Sequence, residues 1–372
     1  MRILHLGKYF PPARGGMERF LGDLVAAQRA AGDEPAVLAH ADPSSERIVD
    51  PPGILRCPVW LRLFFAPLSP LYVLWLRRAI RRFRPEILHI HMPNVSPFWA
   101  LLLPSARRIP WVVQWQSDVE PSRFKLSLRL LYPYYRIFER ALLERAEAIV
   151  VASPQYLDAS APLRPWRSKC RVIPLGIDPA RLPEADAAKA APYWKGGALR
   201  LLAAGRLTYY KGFDMLIRAV APEPSLQLVI AGAGEEYPRL DRTIVRAGAV
   251  DRIRLVGGID DATLHALMAT CDAFCLPSVE RTEAFGIVLL EAMRYGRALV
   301  ASDLAGSGVT YVARQGQNAV LLPPGDTSAW REGLQSLAEH PRGLVLMGRL
   351  GRERCLHEFD IASVARRIRL LY

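Results

Sequence analysis

Short apolar runs alternate along the first half of the chain with longer stretches whose apolar residues recur every three or four positions. The run RILHLGKY comes first, followed by the loop PPARGG and the amphipathic stretch MERFLGDLVAAQRAAG. Further apolar runs in this half are EPAVLAH, EILHIHM, WVVQWQ and AIVVAS. Such runs predict buried strands and the intervening stretches predict helices, so the alternation indicates a parallel sheet covered by helices.

The same order restarts at residue 199. The strand-like run LRLLAAGRL is followed by the loop TYYKG and the helical stretch FDMLIRAVA. Later runs are LQLVIAG, IRLVGG, AFCLPS, ALVAS and AVLLPP. We therefore predict an α/β fold with two doubly wound units, in which ligands bind outside the carboxyl ends of the strands.

Residues 173–197 are rich in proline, alanine and glycine, and we place the domain boundary within them. The first domain is predicted over residues 1–175 and the second over residues 176–351. A last helix, over about 352–372, is expected to pack back on the first domain. A chain of 372 residues exceeds one ordinary core, which favours two domains, and two such units face to face would enclose a cleft.

The composition is that of a globular protein, with 51% hydrophobic and 23% charged residues, and it excludes a disordered chain. A formal net charge of +13 predicts an anionic partner, which could be nucleic acid, an acidic membrane surface or a phosphorylated ligand. The first residues read as a strand rather than a signal peptide. We find no apolar stretch near the roughly 20 residues that span a bilayer.

The five cysteines are scattered along the sequence and form no paired CxxC sites. Their odd number and spacing predict no disulfide framework, and hence a reducing, cytoplasmic setting. Cys271 and Cys275 belong to TCDAFCLPS, which reads as a buried strand. Because no histidine or carboxylate cluster completes a site around them, we expect no metal there.

Two loops that follow predicted strands could hold phosphate. In GRLTYYKG, Arg206 and Lys211 place a guanidinium and an ammonium at the carboxyl edge of a strand, which suits a diphosphate. An ordinary solvated loop explains this loop equally well. In PPARGGM, Gly15 and Gly16 allow close backbone approach before a helix start that could bind an anion. That loop matches neither a Walker nor a GxGxxG motif, and a simple glycine turn is the alternative.

Two glutamates bracket an almost wholly apolar run in SVERTEAFGIVLLEAMRYG, residues 278–296. If a helix begins near residues 284–286, Glu283 and Glu291 differ by roughly 80° and lie about 12 Å apart along its axis. A diphosphate at the helix start would meet the positive end of the dipole. Glu283 could then face a sugar and Glu291 a ribose diol. The alternative is a helix-start acid and an exposed surface residue.

Taken together, the motifs resemble those of the retaining GT-B glycosyltransferases of family 4 over nearly the whole chain. The segments that carry the resemblance are PPARGGMERF, ILHIHMP, VIPLGID, AGRLTYYKGFDMLI, VIAGAGEE, LPSVERTEAFGIVLLEAM and VLLPPGD. The resemblance implies two Rossmann-like domains facing across a cleft. It implies that the second holds a nucleotide-diphosphate sugar as co-substrate, and the first an acceptor. It also implies retention of configuration, without a cofactor or a metal.

The resemblance also implies roles for individual residues. Arg206 and Lys211 would neutralise the departing diphosphate, a task that a metal performs in other transferases. Glu283 would contact hydroxyls of the donor sugar, and Glu291 would contact the ribose. Backbone groups would also approach the phosphates, namely those of Gly16, Phe285, Gly286 and Ile287.

One departure from the family pattern concerns WVVQWQSD, where the family usually has a histidine and this chain has Gln116. Glutamine can replace a hydrogen-bonding histidine but cannot titrate. Asp118 and His91 are nearby catalytic candidates, and His89 is better explained as a core residue. The departure leaves a second hypothesis open: a catalytically impaired GT-B subunit that binds a nucleotide sugar. A GT-B epimerase is a third reading, without supporting motifs.

A second departure is AGSGVTYV, where many relatives carry a Gly-x-Pro-Glu segment. Ser307 or Thr310 stands where an acid might be expected. Among members of the family, these motifs most resemble those of mannosyl and rhamnosyl transferases of surface polysaccharide synthesis. That likeness slightly favours GDP-mannose as the donor and a lipid-linked saccharide as the acceptor.

Two segments of the first half, residues 62–86 and 122–147, mix bulky apolar side chains with many arginines. The first holds Arg62, Arg77, Arg78, Arg81, Arg82 and Arg84. Such a surface predicts peripheral binding to an anionic membrane, on the cytoplasmic face if the acceptor is lipid-linked. The alternative is helices packed on the sheet with their arginines in water. Nucleic acid is not expected, because no DNA- or RNA-binding signature is present.

Overall fold

The computed structural model describes residues 1–42, 49–63, 66–119, 126–196 and 198–372, except for the side chains of 63 and 126–129. Parts of the predicted membrane segments therefore lie outside the described residues, as does one residue of the predicted boundary segment. The described residues form two compact units. Unit 1 comprises Met1–Gly176 and Ile361–Tyr372, and unit 2 comprises Ile177–Asp360.

Strands and helices alternate along the described residues. The strands are β1 (Arg2–Leu6), β2 (Glu34–His40), β3 (Ile54–Cys57), β4 (Leu61–Leu63), β5 (Ala66–Leu68), β6 (Ile87–Met92), β7 (Trp111–Trp115), β8 (Ala148–Val151), β9 (Cys170–Val172), β10 (Leu199–Ala204), β11 (Leu226–Ala231), β12 (Ile253–Gly257), β13 (Ala273–Leu276), β14 (Ala298–Ser302) and β15 (Ala319–Leu322). The α-helices are α1 (Gly16–Ala30), α2 (Tyr72–Phe83), α3 (Pro104–Arg107), α4 (Leu126–Arg145), α5 (Pro154–Ala159), α6 (Phe213–Val220), α7 (Tyr237–Arg246), α8 (Asp261–Thr270), α9 (Ile287–Arg294), α10 (Val309–Val312), α11 (Thr327–Glu339), α12 (Pro341–Glu358) and α13 (Ile361–Arg369).

Each unit is built on one parallel sheet. Unit 1 has the strand order β3-β2-β1-β6-β7-β8-β9, with β4 and β5 forming a separate antiparallel hairpin. Unit 2 has the order β12-β11-β10-β13-β14-β15. All six residues of β6 and all six of β11 are buried, as expected for parallel strands covered on both faces.

Both sheets have a point at which the order of strand addition reverses. It lies between β1 and β6 in unit 1 and between β10 and β13 in unit 2. The connections on either side of such a point leave on opposite faces of the sheet, and a crevice opens beyond the carboxyl ends of the two strands. The loops that follow these four strands are therefore where each unit can build a site.

The structure differs from the predicted elements in two ways. Strands β3, β4, β5 and β9 were not predicted, because they are only three or four residues long and lack a continuous apolar run. The single helix predicted over about 352–372 is wrong, because the chain breaks between α12 and α13. Phe359 is buried at this break, and its carbonyl accepts a hydrogen bond from the Ile177 N–H at 2.9 Å.

Among the helices that the structure describes, none combines the length and the apolar character needed to traverse a bilayer.

Candidate active site

The loop after β10 carries Lys211 to the reversal point of the unit 2 sheet. Lys211 ends a 3-10 helix, Tyr209–Lys211, and Gly212 follows with φ 68° before α6 begins. A Cβ atom on Gly212 would lie 2.0 Å from the carbonyl oxygen of Pro277, which follows β13. Only glycine therefore allows the two loops to approach this closely. Their contact is completed by the N–H of Val279, which donates to the carbonyl of Tyr210 at 2.8 Å.

Lys211 and Glu283 form an ion pair at this junction. The Lys211 Nζ lies 2.5 Å from Glu283 Oε2, and the same oxygen accepts a hydrogen bond from Ser278 Oγ at 3.2 Å. The two side chains are only 10% and 12% exposed. Burial alone lowers the pKa of the Lys211 ammonium, but the Glu283 carboxylate and the Tyr210 phenol outweigh it and raise the pKa above its usual value. The ammonium is therefore held charged in a poorly hydrated position.

The Glu283 backbone is fixed by the loop after β14. The Ser307 hydroxyl donates a hydrogen bond to the Glu283 carbonyl, and the Gly308 N–H donates to the Ala284 carbonyl at 2.8 Å. Ser307 is fully buried, while Thr310 donates to the Ser307 carbonyl at 3.2 Å. The two residues that stand where an acid was expected thus support the Glu283 loop through the backbone.

The helix after Glu283 begins later than predicted. α9 starts at Ile287, and Gly286 precedes it with φ 78°. The predicted separation of 80° and 12 Å between Glu283 and Glu291 is therefore wrong, because Glu283 lies in the loop and not in the helix. No described residue accepts a hydrogen bond from the N–H groups of Phe285, Gly286 or Ile287. These groups keep the donor capacity that the sequence assigned to them.

Glu291 is buried inside α9, so the alternative of an exposed surface residue is wrong. Its Oε1 lies 3.6 Å from the guanidinium of Arg181, which belongs to the 3-10 helix Pro179–Arg181 at the start of unit 2. At that separation the pair is electrostatic rather than hydrogen-bonded. Nothing in the sequence near Glu291 indicates this partner, which is more than a hundred residues away along the chain.

Arg206 lies in the same loop as Lys211, with its side chain exposed. The Arg206 charge acts to lower the pKa of Lys211, as expected for two cations that share one loop. Gly205 directly precedes Arg206, and a Cβ atom on Gly205 would come within 3.3 Å of the Lys211 Nζ. The loop thus brings one buried and one exposed cation to the β10 edge of the crevice.

In unit 1, Gly15 and Gly16 lie where the sequence placed them, at the start of α1. Gly16 is the first residue of α1 and Gly15 precedes it in extended backbone. A Cβ atom on Gly15 would lie 2.1 Å from the Glu18 carboxylate. The absence of a side chain at Gly15 therefore makes room for the carboxylate of Glu18, in the first turn of the same helix.

Gln116 lies just beyond β7 and is buried, with only 5% of its surface exposed. Its N–H donates to the Met92 carbonyl at 3.0 Å, which ties it to the end of β6. Neither atom of its side-chain amide has a hydrogen-bond partner among the described residues. The Asn94 Nδ2, in the loop after β6, is also unpartnered in the described part of the chain. Buried amide atoms without partners are rare, and each one calls for an explanation such as a water molecule or a polar ligand.

The Asp118 carboxylate accepts hydrogen bonds from two nearby side chains. Its Oδ1 accepts hydrogen bonds from Trp115 Nε1 at 2.8 Å and from Ser160 Oγ at 2.7 Å. The carboxylate thus fixes the turn that follows Gln116. His89 and His91 lie within β6 and are both buried. The expectation of a core position for His89 is therefore confirmed.

The structure also brings in residues that the sequence interpretation did not select. Ser278 and Arg181 contact the two glutamates, and Asn94 accompanies Gln116. Ser278 could have been found from its place in LPSVERTE directly after a buried strand. Arg181 and Asn94 have no such local signal, because their partners are brought together by the fold.

The chain matches two families of sequences that cover most of its length. Residues 186–354 match the family described as Glycosyl transferases group 1, and residues 15–176 match the family described as Glycosyl transferase 4-like domain. The two matches fall within unit 2 and unit 1, respectively.

Individual proteins of known name are similar over nearly the whole chain. The D-rhamnosyltransferase WbpZ of Pseudomonas aeruginosa is 30% identical, with 94% of this chain and 90% of that protein covered. The O-antigen chain mannosyltransferase C of Escherichia coli is 29% identical, with 91% and 88% covered. The solved structure of sucrose-phosphate synthase from Thermosynechococcus elongatus has the same fold, with a TM-score of 0.82 at 23% identity and 100% and 98% covered. The chain is therefore a hexosyltransferase and belongs to the family 4 glycosyltransferases of the GT-B fold.

Proposed function

We propose that this enzyme transfers a hexose from a nucleotide-diphosphate sugar to a lipid-linked saccharide, with retention of configuration and without a metal, during surface polysaccharide synthesis. The observation that carries the proposal is the buried Lys211–Glu283 ion pair at the reversal point of the unit 2 sheet. A buried ion pair gains little stability over an apolar pair, so a functional reason for keeping it is favoured.

The donor would lie across this junction in unit 2. Its diphosphate would contact Lys211 and Arg206 on one side and the N–H groups of Phe285, Gly286 and Ile287 on the other. These groups would stabilise the negative charge that develops on the leaving group, which is the task of a metal in other transferases. Glu283 would accept hydrogen bonds from hydroxyls of the donor sugar while Lys211 holds its carboxylate.

Glu291 would contact the ribose of the donor. Its buried carboxylate lies 3.6 Å from the Arg181 guanidinium, and a carboxylate can accept two hydrogen bonds from a vicinal diol. In this proposal, Arg181 pairs electrostatically with the Glu291 carboxylate before the donor binds.

The transfer itself would need no nucleophile from the protein. The bond between the anomeric carbon and the diphosphate oxygen breaks, and the acceptor oxygen bonds to the same face of that carbon. The acceptor proton passes to the departing diphosphate. This differs from the two-carboxylate scheme of retaining hydrolases, and Glu283 is proposed as a binding group rather than a nucleophile.

The acceptor would lie on unit 1, against neutral polar groups. Gln116 and Asn94 have the unpartnered amide atoms that could hydrogen-bond saccharide hydroxyls. Asp118 would act indirectly, by fixing the turn that carries Gln116. Gly15 and Gly16 would let a phosphate group approach the backbone at the start of α1.

A lipid-linked acceptor also requires a membrane surface, and we propose that unit 1 binds the cytoplasmic face of the membrane. One side of α4 exposes a continuous apolar stripe, formed by Leu130, Leu131, Tyr134, Ile137 and Phe138. Phe138 stacks on Phe98, whose 3-10 helix, Ser96–Leu101, also contacts α2. α2 exposes arginines on its outer side, namely Arg77, Arg78, Arg81 and Arg82. Apolar side chains next to arginines are suited to an anionic bilayer surface.

The test is a donor screen with the purified full chain and a lipid-diphosphate saccharide as acceptor. We expect acceptor-dependent release of nucleotide diphosphate, with GDP-mannose as the first donor to try because two relatives are a mannosyltransferase and a rhamnosyltransferase by name. NMR of the product should give the same anomeric configuration as the donor. Addition of EDTA should leave the rate unchanged.

Three outcomes would contradict parts of the proposal. Tight nucleotide binding without turnover by any donor would favour the catalytically impaired subunit. A product with inverted anomeric configuration would exclude attack on the same face of the anomeric carbon. Equal flotation of the protein with neutral and anionic vesicles would remove the role of the α2 arginines. Activity on a water-soluble acceptor would bear on the acceptor alone and would leave the proposed donor site unchanged.

A further inference from the structure

Three histidines lie together in the interior of unit 1. His5 of β1 pairs in register with His89 of β6, and His91 is two residues further along the same strand, so all three side chains share one face of the sheet. All three are buried, and one ring nitrogen of each lies within 4.8 Å of those of the other two. No other group of this kind is found in the described part of the chain.

The outer side of this cluster is held by hydrogen bonds. His5 Nε2 lies 2.8 Å from Gln28 Oε1, and His89 Nδ1 lies 2.6 Å from the Tyr372 hydroxyl. Gln28 Nε2 donates to the same hydroxyl at 2.9 Å. Because an amide oxygen only accepts, His5 carries its proton on Nε2 and presents a bare Nδ1 to the inside of the cluster.

The inner side of the cluster is incompletely satisfied. His5 Nδ1 lies 3.1 Å from His91 Nε2, which must then carry a proton if the contact is a hydrogen bond. His91 Nδ1 and His89 Nε2 have no partner among the described residues. Neighbouring Gln114, which pairs in register with His91, lies beside His89, but neither of its amide atoms forms a hydrogen bond of normal geometry with a described residue. Hydrogen bonds alone therefore leave several buried polar atoms unsatisfied.

We propose that His5, His89 and His91 bind one divalent transition metal ion, with Zn²⁺ as the ion that best fits three neutral imidazoles. His5 Nδ1 and His91 Nε2 already lie 3.1 Å apart, so they can reach the roughly 3.3 Å that two zinc–nitrogen bonds impose in tetrahedral geometry once the His91 proton has moved to Nδ1 and the ring has turned. Gln28 and Tyr372 would be the outer partners that orient ligating histidines in metal sites. Gln114 would face the fourth position.

Metal binding would require one local movement. The His89 and His91 rings are nearly parallel, with centroids 4.6 Å apart and an interplanar angle of 18°. Their lone pairs cannot converge on one ion until one ring rotates about its Cβ–Cγ bond. His91 can do so because its Nδ1 has no partner among the described residues. Zn²⁺ imposes no geometry of its own through d-electrons, and so tolerates the resulting arrangement better than copper does.

The experiment uses the full chain without a histidine tag. The protein is stripped with a chelator, incubated with excess Zn²⁺, desalted and measured by plasma mass spectrometry. We expect about one zinc per chain, as for a site that holds its metal through desalting. X-ray absorption at the zinc edge should give nitrogen and oxygen scatterers at about 2.0–2.1 Å and no sulfur.

Variants then assign the site. His89→Gln combined with His91→Gln should retain less than about a fifth of the zinc, because each removes one of three ligands. The matched control is His340→Gln combined with His357→Gln, which alters two exposed histidines of unit 2 and should retain the full amount.

Several results would overturn the proposal. They are a wild-type chain that holds less than about 0.1 zinc, a double variant that holds as much zinc as wild type, and an absorption spectrum with sulfur scatterers. The spectrum decides the question on the wild-type protein if the double variant does not fold. None of these readouts depends on transferase activity.

Discussion

The two sheets reverse their strand order at equivalent points, yet they carry different chemistry there. In unit 2, the loops after β10 and β13 bring together a lysine and a glutamate, which form a buried ion pair. In unit 1, the buried polar side chains near the ends of β6 and β7 include His91, Asn94 and Gln116, which are neutral and incompletely hydrogen-bonded. One scaffold thus presents charge in one unit and neutral hydrogen-bonding groups in the other. A charged leaving group and an uncharged hydroxyl acceptor would require this difference.

The buried positive charge at the reversal point of unit 2 can be removed by substituting Lys211. Lys211→Met keeps the length of the side chain but removes the buried cation, and we expect kcat to fall about a hundredfold because developing charge on the diphosphate loses its nearest partner. The measurement is the initial rate with saturating donor and acceptor. Lys195→Met is the matched control, since that lysine is an exposed residue of unit 2 paired with Asp251. A loss below about threefold would remove Lys211 from the proposed site.

A buried neutral histidine of unit 1, His40, predicts that the stability of this unit depends on pH. His40 of β2 is buried, and its Nδ1 donates to the Lys8 carbonyl at 2.8 Å while its Nε2 accepts from Ser96 Oγ at 2.9 Å. Burial is the largest cause that lowers the pKa of His40 to about 4. The unfolded chain therefore takes up this proton near pH 6.5 and the folded chain only near pH 4, so stability is lost as the pH falls through that window.

The measurement is urea unfolding of wild type and His40→Gln at pH 8 and pH 5. From the two pKa values, wild type should lose about 2 kcal/mol more than the variant between these conditions. Hydrogen exchange should place the extra loss in unit 1 rather than unit 2. Equal losses in the two proteins would show that His40 does not stay neutral when folded, and His357→Gln, an exposed change in unit 2, controls for histidine number.

Much of the fold was predictable because buried strands appear in the sequence as continuous apolar runs. The runs EPAVLAH and ALVAS coincide with β2 and β14. The loop with Arg206 and Lys211 was found because it follows the strongly apolar β10. Short edge strands such as β3 and β9 were missed, since half-exposed elements of three or four residues lack a distinctive periodicity.

The candidate site was less predictable, because its key contacts join distant parts of the chain. The apolar neighbours of Glu291 indicated that it is not simply solvated, and it is buried, but its pairing with Arg181 has no local signal. The start of α9 was placed near residues 284–286, one to three residues too early, although Gly286 is the residue type that a positive φ before a helix requires. Composition and spacing indicate which groups are chemically unusual, whereas the fold decides their partners.

The ion pair itself provides a finer test of the charged side. Glu283→Gln keeps the hydrogen-bonding capacity but removes the charge that faces Lys211, and we expect kcat to fall about tenfold. Because the two side chains are in direct contact, their effects should not add. The double variant Glu283→Gln with Lys211→Met should be close to Lys211→Met alone. A double variant that loses about a thousandfold, the product of the two separate losses, would mean that the residues act independently.

The neutral side is tested most sharply at Gln116, where stability and function should move in opposite directions. Gln116→Leu removes two buried amide atoms that have no partner among the described residues, so the melting temperature should stay equal or rise. If those atoms bind acceptor hydroxyls, the acceptor KM should increase about five- to tenfold, which corresponds to about 1 kcal/mol, while the donor KM stays unchanged. Gln116→His restores the residue type usual in the family and should keep the acceptor KM near wild type. An unchanged acceptor KM in Gln116→Leu would assign the buried amide to folding alone, and the proposed contrast between the two reversal points would then lack a functional meaning in unit 1.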